Sequence, residues 1–156
     1  MPDSLANLKD LNLGDNRLTS LKLSREFDRL SSLNIKCNRL TDLSFLEGLT
    51  SLTSLDVSSN RLTDAFVPAG LDQLISLDLS NNRQLTSVTM PESQRTRIEA
   101  GTLQVVGFPV SDISFYDAKA PLQITKFERT GNEITLTWSS ILGRKYSVDY
   151  KGDLSE

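Results

Sequence analysis

Two aspartates, Asp56 and Asp78, occupy the same place in two similar stretches, LTSLDVSSNRL and LISLDLSNN. If these stretches stack as neighbouring strands about 4.8 Å apart, the two carboxylates lie side by side and repel by about 0.8 kcal/mol in water. Oxygen ligands of this kind suit a calcium ion. Further oxygens would come from Asn34, Ser58 and Ser80. Solvated surface carboxylates are the commoner arrangement, so we expect neither a metal nor a cofactor here.

Four arginines recur every 22 residues and form a second candidate site. Each directly follows an asparagine: Arg17, Arg39, Arg61 and Arg83. Four guanidinium groups in register can bind phosphate or sulfate groups along an anionic polymer. The alternative, which we favour, is a solvated edge whose arginines pair with neighbouring carboxylates. The carboxylates available for such pairing are Asp15, Asp42 and Asp64.

Histidine is absent from the 156 residues, and Cys37 is the single cysteine. The absence of histidine removes the usual general base, the Ser-His-Asp type of triad and most zinc sites. The sequence also lacks the GxGxxG, GxxxxGK[ST] and CxxC motifs. We therefore predict that the chain is not an enzyme. Cys37 is expected to be a small, partly buried filler rather than a reactive thiol.

The net charge of −3 gives no overall positive field that would favour nucleic acid. No apolar run approaches the roughly 20 residues that a membrane-spanning helix needs. The opening residues, MPDSLANLKDL, lack a basic start and an apolar segment, so we expect no signal peptide in them. Seven residues are too few to cap a repeat stack, which suggests that the natural protein extends upstream.

The element that must position these residues is a stretch that the chain repeats four times. The copies are LKDLNLGDNRL, LSSLNIKCNRL, LTSLDVSSNRL and LISLDLSNN, beginning at Leu8, Leu30, Leu52 and Leu74. In the fourth copy RQL follows, with one extra residue. The pattern resembles the leucine-rich repeat, LxxLxLxxNxL. The resemblance implies an α/β-type solenoid with a parallel β-sheet on the concave side and short 3₁₀ or irregular segments on the convex side.

Each repeat carries one asparagine where the chain leaves the predicted strand: Asn16, Asn38, Asn60 and Asn82. An asparagine side chain offers an acceptor and two donors without a charge, so a buried column can pair the backbone groups of successive turns. An alanine would leave those groups unpaired, at about 1–3 kcal/mol each. We therefore predict that Asn38→Ala and Asn60→Ala are among the most damaging substitutions.

The exposed strand positions should form columns across the concave surface, because parallel strands align equivalent residues. The candidate binding residues are Asp10, Asn12, Asn34, Lys36, Asp56, Ser58, Asp78, Ser80 and Asn81. This surface is polar, with small side chains, and lacks the Trp and Tyr anchors of tight protein interfaces. It suits a hydrogen-bonding groove for a glycan or a polar protein loop. The alternative is a soluble face that binds nothing.

The pattern changes twice after the fourth repeat. Residues 91–118 lack the LxxLxLxxN spacing, and we interpret them as a degenerate repeat that closes a solenoid spanning 1–118. Strict alternation then predicts a small antiparallel β-meander over 119–156. Its expected turn glycines and core aromatics are Gly131, Gly143, Trp138, Tyr146 and Tyr150. The stretch ITLTWSSILGRKYSVDYKGDLSE resembles the C-terminal module of secreted and surface proteins of environmental bacteria, and the module looks truncated here.

These resemblances imply a non-catalytic recognition module of a bacterial surface or secreted protein. Its concave face would bind a protein or a glycan, and we expect a monomer without nucleic-acid binding or a membrane span. The alternative is a structural spacer or accessory domain of a larger surface protein, whose binding or enzymatic part lies outside this chain. The extracellular or cell-surface location follows from the resemblance alone.

Overall fold

The computed structural model describes residues 7–23, 27–119, 123–130, 133–139 and 149–151, the last three ranges as backbone only. The chain divides into two compact units, Met1–Phe115 and Tyr116–Glu156. The elements are β1 (Asp10–Asn12), β2 (Ser32–Asn34), β3 (Ser54–Asp56), β4 (Asp64–Phe66), β5 (Ser76–Asp78), β6 (Ser87–Pro91), α1 (Glu92–Glu99), β7 (Gln104–Val106), β8 (Ser114–Tyr116), β9 (Gln123–Thr130), β10 (Glu133–Ser139) and β11 (Asp149–Lys151).

Five short strands form one parallel sheet in the order β1-β2-β3-β5-β7. The predicted repeat phase is confirmed, because the central leucines of the four repeats are aligned partners on adjacent strands. These partners are Leu11, Leu33, Leu55 and Leu77. A 22-residue period thus places each side chain beside the equivalent one in the next repeat.

The repeated leucines form the core between successive repeats. Leu30, Leu52 and Leu74 are 0–1% exposed, whereas Leu8, at the same position of the first repeat, is only partly buried. One repeat cannot cover its own apolar side chains, and each leucine that a neighbour covers fully contributes about 1.5–3 kcal/mol. The stacking of repeats, rather than local propensity, therefore stabilises three-residue strands.

The segments between these strands are short, as the sequence predicts. The segment after the second asparagine contains a 3₁₀ turn at Ser44–Leu46, which buries Phe45 and Leu46. Other segments provide a second sheet in the order β4-β6-β8, in which β4 and β6 run parallel. The described residues include no helix that is long and apolar enough to cross a membrane.

The fifth strand of the parallel sheet comes from a segment without the repeat motif. In β7, Gln104 pairs with Ser76 and Val105 with Leu77, so 28 residues separate equivalent positions instead of 22. The longer interval accommodates α1, whose Gln94 is completely buried. Gln94 Nε2 donates to the carbonyl of Leu71 at 3.1 Å, so the helix is joined to the segment that directly precedes the fourth repeat.

Gly107 directly follows β7, at a place where only glycine fits. It has a φ of +87°, and a Cβ there would lie 2.3 Å from the Cα and the backbone nitrogen of Ser80. The register of β5 and β7 ends at Asp78 and Val106, and the N–H of the buried Leu79 donates to the carbonyl of Val106 at 2.9 Å. The chain therefore leaves the sheet by crossing directly over the backbone at the end of β5.

The second unit contains an antiparallel sheet in the order β11-β10-β9, as the alternating pattern predicts. The register between β9 and β10 shifts between Thr137 and Trp138. The predicted turn glycines Gly131 and Gly143, together with Tyr146, lie outside the described residues.

Candidate functional site

The asparagine column connects the repeats through their backbones. Asn60 is 8% exposed, and its Oδ1 accepts the N–H of Leu40 at 3.0 Å. Its Nδ2 donates to the carbonyls of Ile35 and Val57, both at 3.0 Å, and to that of Ser58 at 3.3 Å. One uncharged side chain thus pairs backbone groups of two repeats in the core, as its donors and acceptor allow.

Asn38 and Asn82 make the same contacts one repeat away in each direction. Their Oδ1 atoms accept the N–H groups of Leu18 and Leu62, and both side chains are 7% exposed. Asn16 differs, because it is exposed and donates only to the carbonyls of Leu13 and Gly14 in its own turn. Within the described residues, the first asparagine that joins two repeats is therefore Asn38 of the second repeat.

A left-handed residue precedes each of these asparagines. Its φ lies between 54° and 59° in all four repeats: Asp15, Cys37, Ser59 and Asn81. The side-chain period did not reveal this feature, although Asp and Asn tolerate the left-handed region better than most residues. The conformation turns the chain from the strand toward the core, where the asparagine pairs the backbone.

The exposed side of the five-stranded sheet, hereafter the strand face, brings the predicted residues into columns. One column runs through the first strand position, and the second runs through the third. The first column is Asp10, Ser32, Ser54, Ser76 and Gln104. The second column is Asn12, Asn34, Asp56, Asp78 and Val106. The ionisable groups of these columns are thus aspartates, while Lys36, half-buried, follows two residues after β2.

The second column also has a local structural role. Asp56 Oδ1 accepts the backbone N–H of Ser58 at 2.9 Å and its hydroxyl at 2.6 Å. Asp78 Oδ1 accepts the N–H of Ser80 at 2.8 Å. Asn12 and Asn34 form the same turn with Gly14 and Lys36. The second carboxylate oxygen of each aspartate makes no hydrogen bond within the described chain and is available to a partner.

The described ranges contain no group of three or more His, Cys, Asp or Glu residues that could hold a metal ion. Asp56 and Asp78 are nevertheless aligned partners on adjacent strands, as the sequence implied. Calcium binding is the alternative that we disfavour, and a calcium titration followed by melting temperature tests it.

Two predicted binding residues differ from the others in exposure or position. Ser58 is only 8% exposed, so the expectation that it is open to a ligand is wrong. Its hydroxyl donates to Asp56 Oδ1 at 2.6 Å. Asn81 is exposed, but it lies in the left-handed turn beyond the strand face.

The strand face changes character at its last strand. Val106 is aligned with Asp78 and is 47% exposed, whereas the four preceding positions in its column are polar. Ile75, which precedes β5, is 57% exposed. Sequence reasoning missed Val106, because the 28-residue interval concealed the register of β7.

The arginine row, defined as Arg17, Arg39, Arg61 and Arg83, is exposed but is not paired as predicted. Within the described residues the single ion pair joins Arg95 to Glu92. The expected pairs with Asp15, Asp42 and Asp64 are therefore wrong. The Asp42 carboxylate instead accepts the Ser44 N–H at 2.9 Å. The Asp64 carboxylate accepts the hydroxyl of Thr63 at 3.1 Å.

The prediction for Cys37 is also wrong, because this cysteine is free and exposed. It occupies the left-handed position of the second repeat, with a φ of 54°. Its backbone N–H donates to the carbonyl of Ser58 at 3.0 Å. The backbone conformation, rather than the size of the thiol, directs the side chain outward.

A parallel sheet of in-register repeats, joined by a buried asparagine column, defines a repeat protein of the solenoid class. The family described as "Leucine Rich repeats (2 copies)" matches residues 6–48 and 50–92, which together exceed half of the chain. The chain belongs to the leucine-rich-repeat family. Repeats of this family generally mediate protein binding and are typically non-catalytic. No curated protein and no solved structure gives a significant match.

Proposed function

We propose that the chain is a non-catalytic module that binds a protein partner through the strand face. The observation that carries the proposal is the common register of five parallel strands. The register gathers side chains that are scattered along the sequence into two adjacent columns. The proposed contact residues are Asp10, Asn12, Asn34, Lys36, Asp56, Asp78 and Ser80, together with the newly assigned Val106 and Ile75.

The chemistry of this face favours a protein over a glycan. Val106 is 47% exposed and is aligned with Asp78 in the second column, and Ile75, which directly precedes β5, is 57% exposed. Protein interfaces combine an apolar centre with a polar surround. The aspartates would contact basic groups of the partner, while Val106 and Ile75 would be covered by apolar ones. A glycan ligand and a spacer without a ligand are the competing outcomes of the test below.

We further propose an extracellular or cell-surface location, in a bacterial protein. This rests on the resemblance of residues 134–156 to C-terminal modules of secreted and surface proteins. An export signal in the complete reading frame, and recovery of the full-length protein from the surface fraction, would support it.

We propose that the chain acts as a monomer, which sedimentation equilibrium would show as a mass of 17.3 kDa.

The double variant Asp56→Asn/Asp78→Asn tests the strand face with little risk to the fold. Asparagine already occupies this column at Asn12 and Asn34, where its Oδ1 accepts the same turn hydrogen bond. The variant therefore removes two charges and keeps the turns. We expect at least a tenfold weaker capture of the partner, because each charged contact contributes roughly 1.5–3 kcal/mol.

The matched control is Asp72→Asn, which removes an exposed charge outside the strand face. Val106→Asp tests the apolar end and should weaken capture in a separate experiment. Cross-linking of the immobilised chain to surface proteins, followed by mass spectrometry, identifies the partner. The proposal would be contradicted if the Asp56→Asn/Asp78→Asn and Val106→Asp variants captured the partner as well as the control Asp72→Asn does. Capture of a glycan alone would replace the protein partner, and no capture by the wild-type chain would favour the spacer.

A further inference from the structure

The fourth repeat ends in an open polar groove of about 580 Å³. Its lining residues are Ser59, Asn60, Arg61, Asn81, Arg83 and Gln84. This volume lies within the range of about 300–1,000 Å³ that is typical of ligand sites. The lining contains two arginines and no carboxylate, although the whole chain carries a net charge of −3. The local charge therefore favours an anion.

One inserted residue marks this turn. Gln84 is the extra residue of the fourth repeat, and beyond it Ser87 of β6 pairs with Asp64 of β4 at an interval of 23. The third and fourth turns therefore differ in length, and Gln84 itself lines the groove.

The fourth turn also has free backbone donors. In the second and third repeats, the N–H groups of Cys37 and Ser59 donate to the carbonyls of Ser58 and Ser80. The N–H of Asn81 makes no such bond to any residue that the structure describes. No following repeat supplies the matching carbonyl, because the chain leaves the sheet at Gly107.

The same difference appears two residues later. Arg39 and Arg61 donate their backbone N–H groups to the carbonyls of Leu18 and Leu40 at 2.8 and 2.9 Å. Within the described ranges, the N–H of Arg83 has no backbone partner. The guanidinium groups of Arg61 and Arg83 likewise make no hydrogen bond or ion pair to a described residue. The groove thus offers cationic and neutral donors at one place.

From these observations we infer that the groove around Arg61, Arg83 and Asn81 binds carboxylates of an acidic polypeptide segment. The planar guanidinium group binds a carboxylate through two parallel hydrogen bonds, and free backbone N–H groups can complete the contact. The inference rests on the proposed protein-binding function only in choosing a polypeptide as the carrier of the carboxylates. The partner would therefore present basic groups to the strand face and acidic groups to this groove.

A fluorescein-labelled octaglutamate peptide tests the inference directly by fluorescence anisotropy with the whole chain. We expect saturable binding that weakens as salt is added, because exposed charges are screened. Arg61→Ala and Arg83→Ala should each weaken binding about tenfold, as expected for a lost hydrogen bond to a charged group. Arg61→Lys should restore only part of the affinity, because an ammonium group cannot bind a carboxylate in the same planar manner.

Two controls separate the groove from general charge. Arg17→Ala removes the same charge from the same row at a position that does not line the groove, and should leave binding unchanged. Deletion of Gln84 keeps every arginine but restores the 22-residue interval, and should abolish binding while the melting temperature shows a folded protein. The Asp56→Asn/Asp78→Asn variant should bind the peptide like the wild type, so failure here is distinct from failure of the strand face.

Each remaining outcome contradicts the inference. Equal loss from Arg17→Ala and Arg83→Ala would show non-specific attraction. Binding of heparin or polyphosphate to the groove, without binding of octaglutamate, would replace the polypeptide by a sulfated or phosphorylated polymer. Absence of any anion binding at low salt would leave the groove a solvated edge.

Discussion

The regular repeats and the segment that follows them, residues 83–115, solve the same problem in different ways. Both must pair backbone groups that stacking removes from water. In the repeats, one asparagine per turn does so, as Asn60 does for Leu40 and Ile35. In the following segment, Gln94 of α1 donates to the carbonyl of Leu71, just before the fourth repeat, and Arg97 donates to that of Leu74, the first residue of this repeat.

The difference follows from periodicity. In a stack with constant spacing, every turn presents the same backbone groups, so one residue type in one position satisfies them all. Where the interval grows to 28 residues, the geometry occurs once and requires its own residues. Arg97 illustrates this, because it binds both the Leu74 carbonyl at 2.5 Å and Gln94 Oε1 at 3.0 Å. The regular part is therefore recognisable from sequence, and the segment after the fourth repeat is not.

The largest effect should come from removing one of the buried asparagines that recur in each repeat. Asn60→Ala leaves the Leu40 N–H and several carbonyls without their partner in the core. Buried unpaired groups cost about 1–3 kcal/mol each, so we expect a loss of about 4 kcal/mol in the free energy of unfolding. Urea denaturation followed by circular dichroism measures it.

Asn16→Ala is the matched control, because Asn16 is exposed and donates only within its own turn. It should cost less than about 1 kcal/mol. Equal effects of the two substitutions would contradict the idea that the asparagines act between repeats.

The second effect concerns the departure of the chain from the sheet. Gly107→Ala forces a Cβ to within 2.3 Å of the Ser80 backbone and places alanine at a φ of +87°. We expect a loss of about 3 kcal/mol, because both the overlap and the conformation are unfavourable. Gly101→Ala is the control: it shares a positive φ of +70° but meets nothing within 4 Å, so thermal unfolding should show a smaller loss.

The third effect concerns the hydrogen bond from Gln94 of α1 to the Leu71 carbonyl, which occurs once in the chain's described residues. Gln94→Ala removes a fully buried side chain and leaves the Leu71 carbonyl unpaired, which should cost about 2 kcal/mol. Ser93→Ala, one residue earlier on the exposed side of α1, is the control. Hydrogen exchange at α1 should rise in Gln94→Ala alone. Unchanged protection would show that the helix does not depend on this bond.

The sequence predicted the features that repeat and missed those that occur once. Leucine spacing correctly placed Leu33 and Leu55 as aligned partners, because only one register buries every apolar side chain. It could not reveal β7, whose Val105 pairs with Leu77 after an irregular interval.

Within the candidate site, sequence identified which residues share a column but not what each side chain does. The exposure of Cys37 depends on a left-handed backbone conformation, which residue type alone does not specify. Ser58 is buried and its hydroxyl donates to Asp56, which the spacing of the repeats does not indicate. Free arginines were mistaken for paired ones, because nearness in sequence does not fix the direction of a long side chain.

The smallest effect lies in the regular part, at a carboxylate whose partner is not repeated. Asp42 and Asp64 are 22 residues apart, yet Asp42 precedes a 3₁₀ turn whereas Asp64 begins β4. The side chain of Ser44, and then its backbone N–H, lower the pKa of Asp42 below its ordinary value of 3.8. Because the folded-state pKa is the lower one, the stabilisation is present above pH 3.8 and disappears as the pH falls through the folded-state pKa.

Asp42→Asn should therefore destabilise the fold by less than about 1 kcal/mol near neutral pH, because the group is exposed and screened by solvent. The difference from the wild type should vanish as the solution is acidified below pH 3.8. Ser44→Ala, which removes the hydroxyl but keeps the N–H, should give a smaller change with the same pH dependence. Urea titrations at acidic and neutral pH measure both. A difference that stays constant with pH would mean that Asp42 acts through the shape of the turn rather than through its charge.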